Sequence, residues 1–491
     1  MARPVVVIGA GLGGLSAACR LAGKGHEVTV LEAGSAPGGR AGQLEMGGYR
    51  FDTGPTVLTM PHLVEDCFRA AGTEMADFLE LLPVDPMYRA CFADGTELRV
   101  RHGHEAMRAE IATVCGSREA DAFDKFVEWL RRLYALEMPS FIARNYDSPV
   151  DLVRPLRPAM ELLRLGGFRR LSSVVASRFD DDRLRRLFTF QSMYAGLAPY
   201  EALALYGVIT YMDTVNGVFV PRGGMHALPV AMAAAAEKAG AVLRYDARVE
   251  RILLSEGTSG TVRGVRLESG EVIAADRVVC NADLPVAYRT LLPGTAPPRT
   301  VSRGNYSPSC VVWHVGLRGE LPDGAEHHNI HFGNAWNSAF RSVMKEGTLM
   351  ADPSILVTAP TRTEPTAAPS GAHALYVLEP VPNLDGKLDW GRTRALVRDR
   401  LGRLIDRLGY RGRIEVEAMD DPLDWEQRGM ERGTPFSLSH RFLQTGPFRP
   451  DNRPSRAPGL VFVGSGTQPG VGIPMVLISG QLAAQRIEEM G

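Results

Sequence analysis

The chain has 491 residues, too many for one ordinary domain, which calls for two or three. Hydrophobic residues make up 45% and charged residues 23%, a balance that excludes disordered and fibrous classes. A formal net charge of -1 offers no global attraction to nucleic acid, so no nucleic-acid partner is expected and any pull toward a membrane must be local.

From the N-terminus, Met1-Ala2-Arg3 runs directly into an apolar strand and lacks the length and cleavage site of a signal peptide. Six scattered cysteines (Cys19, Cys67, Cys91, Cys115, Cys280, Cys310) form no C-x-x-C pair. They read as reduced thiols of a cytoplasmic protein. Val5-Val6-Val7-Ile8 suits a buried parallel strand. It enters a G-x-G-x-x-G turn at Gly9, Gly11 and Gly14, followed by a helix over Leu15 to Leu21 and a strand from Glu27 to Leu31 that ends at Glu32. Each part has a mechanical job: the first glycine makes the turn, the second lets backbone approach a pyrophosphate, and the third packs helix on strand. The helix N-terminus offers free amides to phosphate, and Glu32 stands where a carboxylate takes both ribose hydroxyls. Its charge argues against a 2'-phosphate and so against NADP.

Glu32 to Arg40 forms a second glycine-rich segment ending in Gly38-Gly39-Arg40, where Gly39 lets the chain turn and Arg40 can neutralise a diphosphate. Phe51-Asp52-Thr53-Gly54-Pro55 is a tight turn whose backbone at Gly54 and Pro55 can face a ribityl chain or flavin. This spacing resembles flavoproteins of the amine-oxidase and carotenoid-desaturase type and points to FAD.

Arg154 to Arg178 carries six arginines against Glu161 alone, interleaved with Leu156, Met160, Leu162, Leu163, Leu165, Phe168 and Leu171. A basic, apolar helix of this kind can lie in a membrane interface. Phe219 to Met225 leads into an Ala-rich helix, Leu228 to Ala239, in a stretch interrupted by Glu237 and Lys238; no run reaches the roughly 18 apolar residues of a spanning helix. Strands follow at 242–245 and 249–252, where backbone near Val249 would meet adenine. A hairpin turns at Ser269-Gly270, and Ala275 to Ala282 returns a strand to the nucleotide sheet. His327, His328 and His331 have ligand-like spacing but no nearby cysteine or paired acid, so no metal is expected. A last strand, Leu460 to Val463, runs through Gly464, Gly466 and Gly472 to Met475 and a helix from Pro474 to Glu488. Helix-end amides there would stabilise charge on a reduced flavin.

These segments, with Phe188 to Gly196, Gly217 to Met225, Cys280 to Asp283, Leu378 to Leu384 and Gln444 to Pro450, resemble the bacterial-type phytoene desaturases over nearly the whole chain. Ser465, Gln468 and Met475 depart from that pattern. The resemblance implies an α/β fold: a Rossmann-like FAD-binding domain from discontinuous segments (1–75, 216–290 and 431–491), plus a mixed α+β substrate domain with a helical, membrane-contacting cap (76–215 and 291–430). It further implies desaturation of a linear C40 carotenoid, phytoene to neurosporene or lycopene, by hydride transfer to flavin N5 and proton loss. The substrate, a hydrophobic polyene, would be drawn from the membrane by a peripherally attached protein, with quinone or oxygen as electron acceptor. The resemblance makes Asp151 and Arg154, which fall on the family's D-x-x-R pattern and would share one helical face, the candidate catalytic residues, the other reading being a solvated or capping ion pair before Pro155. Alternatives within the fold are an end-group desaturase, a polyene isomerase, an amine oxidase or a flavin-free lipid carrier.

Overall fold

The strand Pro4–Ile8 divides its side chains between two cores: Val5 and Val7 face a helical layer, Val6 and Ile8 the layer opposite. Burial on both faces is why the run is continuously apolar instead of alternating. In the computed structural model, which describes residues 4–154, 156–255 and 260–490, this strand is the centre of a five-stranded parallel sheet. Its neighbours are Glu27–Leu31 and Arg277–Cys280, flanked by Val242–Arg244 and Leu460–Phe462. Strands from both ends and the middle of the chain thus share one sheet. The reading of residues 1–3 lies outside the described residues.

The helices Leu12–Gly23, Ala227–Lys238 and Ile473–Glu489 cover one face. Leu15, Leu21 and Leu482 are fully buried there, each contributing about 1.5–3 kcal/mol of hydrophobic stabilisation. The first helix begins at Leu12, three residues before the sequence suggests. Glycines usually weaken a helix start, but here the close approach requires one: a Cβ on Gly14 would lie 2.2 Å from the Gly9 carbonyl oxygen. An antiparallel sheet of Val249–Leu254, Val262–Leu267 and Val272–Ala274 covers the other face.

A second, seven-stranded sheet runs in the order Arg411–Asp420, Ser309–Glu320, His373–Val381, Ile355–Thr358, His328–His331, Tyr88–Cys91, Glu97–Val100. Only the pairing of Tyr88–Cys91 with His328–His331 is parallel. The helix Trp390–Arg407 seals one face through Trp390, Val397, Leu401 and Ile405. The other face, with Ile330, Leu356 and Leu378, looks into a cavity.

The arginine-rich segment is not one helix. It divides into Leu156–Arg164 and Leu171–Ala176, separated by a turn in which the Gly167 amide donates to the Leu162 carbonyl at 2.9 Å. Among the described residues, no helix is long and apolar enough to cross a membrane.

Candidate active site

One cavity of about 1340 Å³ joins the parallel sheet to the seven-stranded sheet. Gly9, Gly11, Glu32, Gly39, Arg40, Gly54, Pro55, Val249, Gly464, Gly466, Gly472 and Met475 all line it. Gly14 stands behind the wall, supporting the turn. The wall is bare backbone where two glycine segments face each other: Gly11 bridges Gly38, and a Cβ on Gly39 would fall 3.2 Å from the Gly11 Cα.

Glu32 braces this turn before it can bind anything, its carboxylate accepting from the Ala10 amide at 2.7 Å and the Gly34 amide at 2.8 Å. A carboxylate has about four acceptor sites, so capacity remains for a pair of hydroxyls. At Val249 the ladder slips, since Val249 opposes Leu267 while Arg251 opposes Arg266. Such a bulge bends the strand locally, beside the cavity that Val249 and Glu250 both line. Arg40 is not a free cation: its Nη2 donates to Asp283 Oδ2 at 2.5 Å. Burial raises the Asp283 carboxyl above its ordinary range, and the guanidinium opposes that rise. Close bare backbone, a hydroxyl-accepting carboxylate and an arginine fit a dinucleotide.

Sequence reasoning left two supports of this groove unidentified. Asn281 sits between the two chain ends: Cβ atoms on Gly11 and Gly13 would come 2.8 Å from its Nδ2 and 2.9 Å from its Oδ1, and its Nδ2 donates to the Gly9 carbonyl at 3.4 Å. Arg449 is 2% exposed and donates to four carbonyls, of Thr467 (2.9 Å), Gln444 (3.2 Å), Leu438 (3.2 Å) and Ser465 (2.5 Å). Both residues belong to strings singled out above, without a role attached.

Asp151 and Arg154 are brought together, at 3.1 Å, but neither lines the cavity. Asp151 Oδ2 accepts from the Asp147 and Ser148 amides, capping the turn Pro149–Leu152. Those amides hold its carboxyl below the ordinary range, while the Arg154 side chain is 71% exposed. The geometry is that of a cap with a solvated partner. His327, His328 and His331 turn their rings to three different hydroxyls, of Thr363, Thr358 and Tyr410.

The end of the cavity nearer the large sheet is walled by Phe190, Met193, Ile209, Met212, Phe332 and Leu378 and interrupted by few polar groups. His440, buried, is pushed well below its ordinary range and is neutral; its Nε2 accepts from the Val471 amide at 3.4 Å. Glu137 is 4% exposed, and its Oε1 has no hydrogen-bond partner. Burial alone raises it well above the usual 4.5. Asp213, 2% exposed, accepts from the Tyr88 hydroxyl at 2.6 Å and the Gln191 amide at 3.4 Å. Both acids stand alone in uncharged runs, 133–143 and 204–221, a signal that sequence reasoning could have used.

Because the fold keeps Glu137 protonated, its stabilising contribution is complete below the unfolded carboxyl range and fades as pH rises toward the folded value. Glu137→Gln is therefore expected to melt with the wild type near about pH 4 and above it at neutral pH. The gap should grow by about 1.4 kcal/mol per pH unit until the buried acid ionises. Thermal melts across pH check this; a gap constant with pH would contradict it.

A model of the family described as flavin-containing amine oxidoreductase matches residues 12–488. A phytoene dehydrogenase of Streptomyces griseus is 50% identical over 489 residues, covering 98% of this chain and 94% of its own. A zeta-carotene-forming phytoene desaturase of Myxococcus xanthus is 39% identical over 494 residues, covering 99% and 94%. Among solved structures, an oxidoreductase from Methanosarcina mazei superposes with a TM-score of 0.62 at 17% identity, covering 99% of this chain and 100% of its own, a likeness of fold.

Proposed function

Because the chain belongs to the family of flavin-containing amine oxidoreductases, we propose that its cavity binds FAD at the glycine-lined end and takes phytoene, toward neurosporene or lycopene, at the apolar end. The protein is an FAD-dependent oxidoreductase that desaturates CH–CH bonds of a carotenoid, like its phytoene dehydrogenase and desaturase relatives. The observation that carries the reading is the continuity of one cavity from a bare-backbone cradle to an oily chamber.

In this reading Gly9, Gly11, Gly39 and Arg40 receive the diphosphate, Glu32 the ribose and the backbone at Val249 the adenine. Gly54, Pro55, Gly464, Gly466, Gly472 and Met475 surround the ring system. When bound, the flavin supplies a two-electron acceptor for hydride from an allylic carbon. The apolar walls then have three tasks: to align the polyene, to exclude water and to leave the developing cation no nucleophile. Asp151 and Arg154 support this by fixing the turn beside Leu152, which lines the cavity. Quinone or oxygen is the proposed final acceptor of the electrons.

A membrane source for the substrate is supported by the outer surface. Val150, Val153, Leu156, Met160, Leu163 and Leu443 are each at least half exposed. Alongside them Phe168 and Phe442 meet edge to face at 6.1 Å and line the cavity. Arg154, Arg157 and Arg164 on the same stretch suit anionic headgroups. Serine at Leu156, Leu163 and Leu443 together is expected to lower binding to anionic vesicles at least about tenfold, at roughly 0.8 kcal/mol per unburied CH₂. Flotation measures it, and unchanged binding would remove this surface from the account.

Expression in cells that make only phytoene tests the function itself. Coloured neurosporene or lycopene supports it, and persistence of colourless phytoene beside folded, flavin-loaded protein contradicts it.

A further inference from the structure

Desaturation releases a proton inside an apolar chamber, and an acceptor in the wall would take it up. The ionisable side chains around the apolar end are few. Glu137 already holds its proton, and neutral His440 takes the Val471 amide at Nε2 and faces Thr445 Oγ1 with Nδ1 at 3.3 Å. Asp213 differs, because both of its oxygens have neutral donors, Tyr88 on one side and Gln191 on the other. Tyr194 and Tyr88 line the cavity together with Asp213. Tyr194 is 40% exposed and lines the cavity, so it presents open surface to a bound substrate. Tyr88 and Tyr194 each pack edge to face on Phe190, at 6.3 and 5.9 Å, which fixes the two rings relative to each other.

We propose that Tyr194, Tyr88 and Asp213 form the relay that takes up the proton lost from the substrate carbon. The inference rests on the desaturase reading above. One C–H bond leaves with its electron pair as hydride to the bound flavin. The neighbouring C–H bond leaves its pair behind as the new C=C, and its proton passes to the Tyr194 oxygen as the hydroxyl protons of Tyr194 and Tyr88 each move one place. The Asp213 carboxylate ends as the acid. Burial raises Asp213 to about 6, so near neutral pH it is largely ionised yet a far better acceptor than a solvated carboxylate. The titratable groups facing it are the two tyrosines. Behind Tyr88 the ring of His328 lies at 5.6 Å, held well below its ordinary range and neutral.

The test uses the FAD-loaded protein with phytoene in vesicles. Since the carboxylate form is the active one, the wild-type rate should rise with pH through about 6 and then level off. Asp213→Asn should slow desaturation by about a hundredfold or more and abolish that rise, and Asp213→Glu should restore part of both. Tyr194→Phe should slow turnover while leaving the Asp213 titration intact. Infrared difference spectra between about pH 5 and pH 8 provide a readout independent of turnover: a buried-acid carbonyl band that is present in the wild type and in Tyr194→Phe and missing in Asp213→Asn. An Asp213→Asn or Tyr194→Phe enzyme with wild-type rate and pH profile overturns the relay, as does the absence of the band from the wild type. A wild-type enzyme inert toward phytoene would instead overturn the desaturase reading.

Discussion

Gly14→Val is expected to yield a protein that cannot retain FAD. The Cβ alone, 2.2 Å from the Gly9 carbonyl oxygen, meets main chain on a turn that is hydrogen-bonded through Gly9 N to Leu31 O at 2.8 Å, so neither side can yield without moving the cradle. Overpacking of this kind costs about 1–3 kcal/mol, and valine adds its helix penalty of up to about 0.7 kcal/mol. If the displacement falls on the groove, each 1.4 kcal/mol lowers cofactor affinity about tenfold. Even Gly14→Ala carries the clash. Gly402→Ala, in the middle of the helix Trp390–Arg407 with nothing nearer than 3.8 Å, should instead keep full flavin content and gain slightly in stability. Flavin per chain after gel filtration separates these outcomes.

The second large effect is expected at Arg449. Its hydrogen bonds among the described residues run to four backbone carbonyls and to no carboxylate. Burial lowers the guanidinium to about 10, still charged at neutral pH. Arg449→Leu strands the carbonyls of Ser465 and Thr467 on the segment between the strand Leu460–Phe462 and the helix Ile473–Glu489. Leaving a buried carbonyl without its donor costs about 1–3 kcal/mol, and losing several at once takes a large share of the roughly 5–15 kcal/mol that holds a domain together. Loss of FAD should precede global unfolding on heating. Arg449→Lys should not rescue it, because an ammonium cannot span the positions that the planar guanidinium reaches. Wild-type flavin content in Arg449→Leu would show that the segment holds its shape without it.

The glycine motif, Glu32 and the Gly38-Gly39-Arg40 turn were legible because their geometry is local: each needs only a strand, a turn and a helix within about thirty residues. The helix start at Leu12 was not, since Gly13 and Gly14 in its first turn disfavour a helix by local propensity and only their packing holds them there. Asp213 and Tyr88 lie 125 residues apart and meet only when the large sheet closes over the Phe190–Ala195 turn. The i, i+3 spacing of Asp151 and Arg154 suggested one helical face, but Asp151 belongs to the short turn Pro149–Leu152 and Arg154 lies beyond its end; the two meet as an ion pair, and the amides that engage Asp151 lie just upstream, in a loop whose conformation spacing alone does not determine.

The most direct measurement mixes purified, FAD-loaded protein with phytoene vesicles in the absence of oxygen and follows the flavin absorbance. Bleaching, with one new conjugated double bond formed per flavin reduced, is the predicted result. A flavin that stays oxidised with phytoene yet bleaches with a small amine would place the protein's chemistry elsewhere in the fold's repertoire.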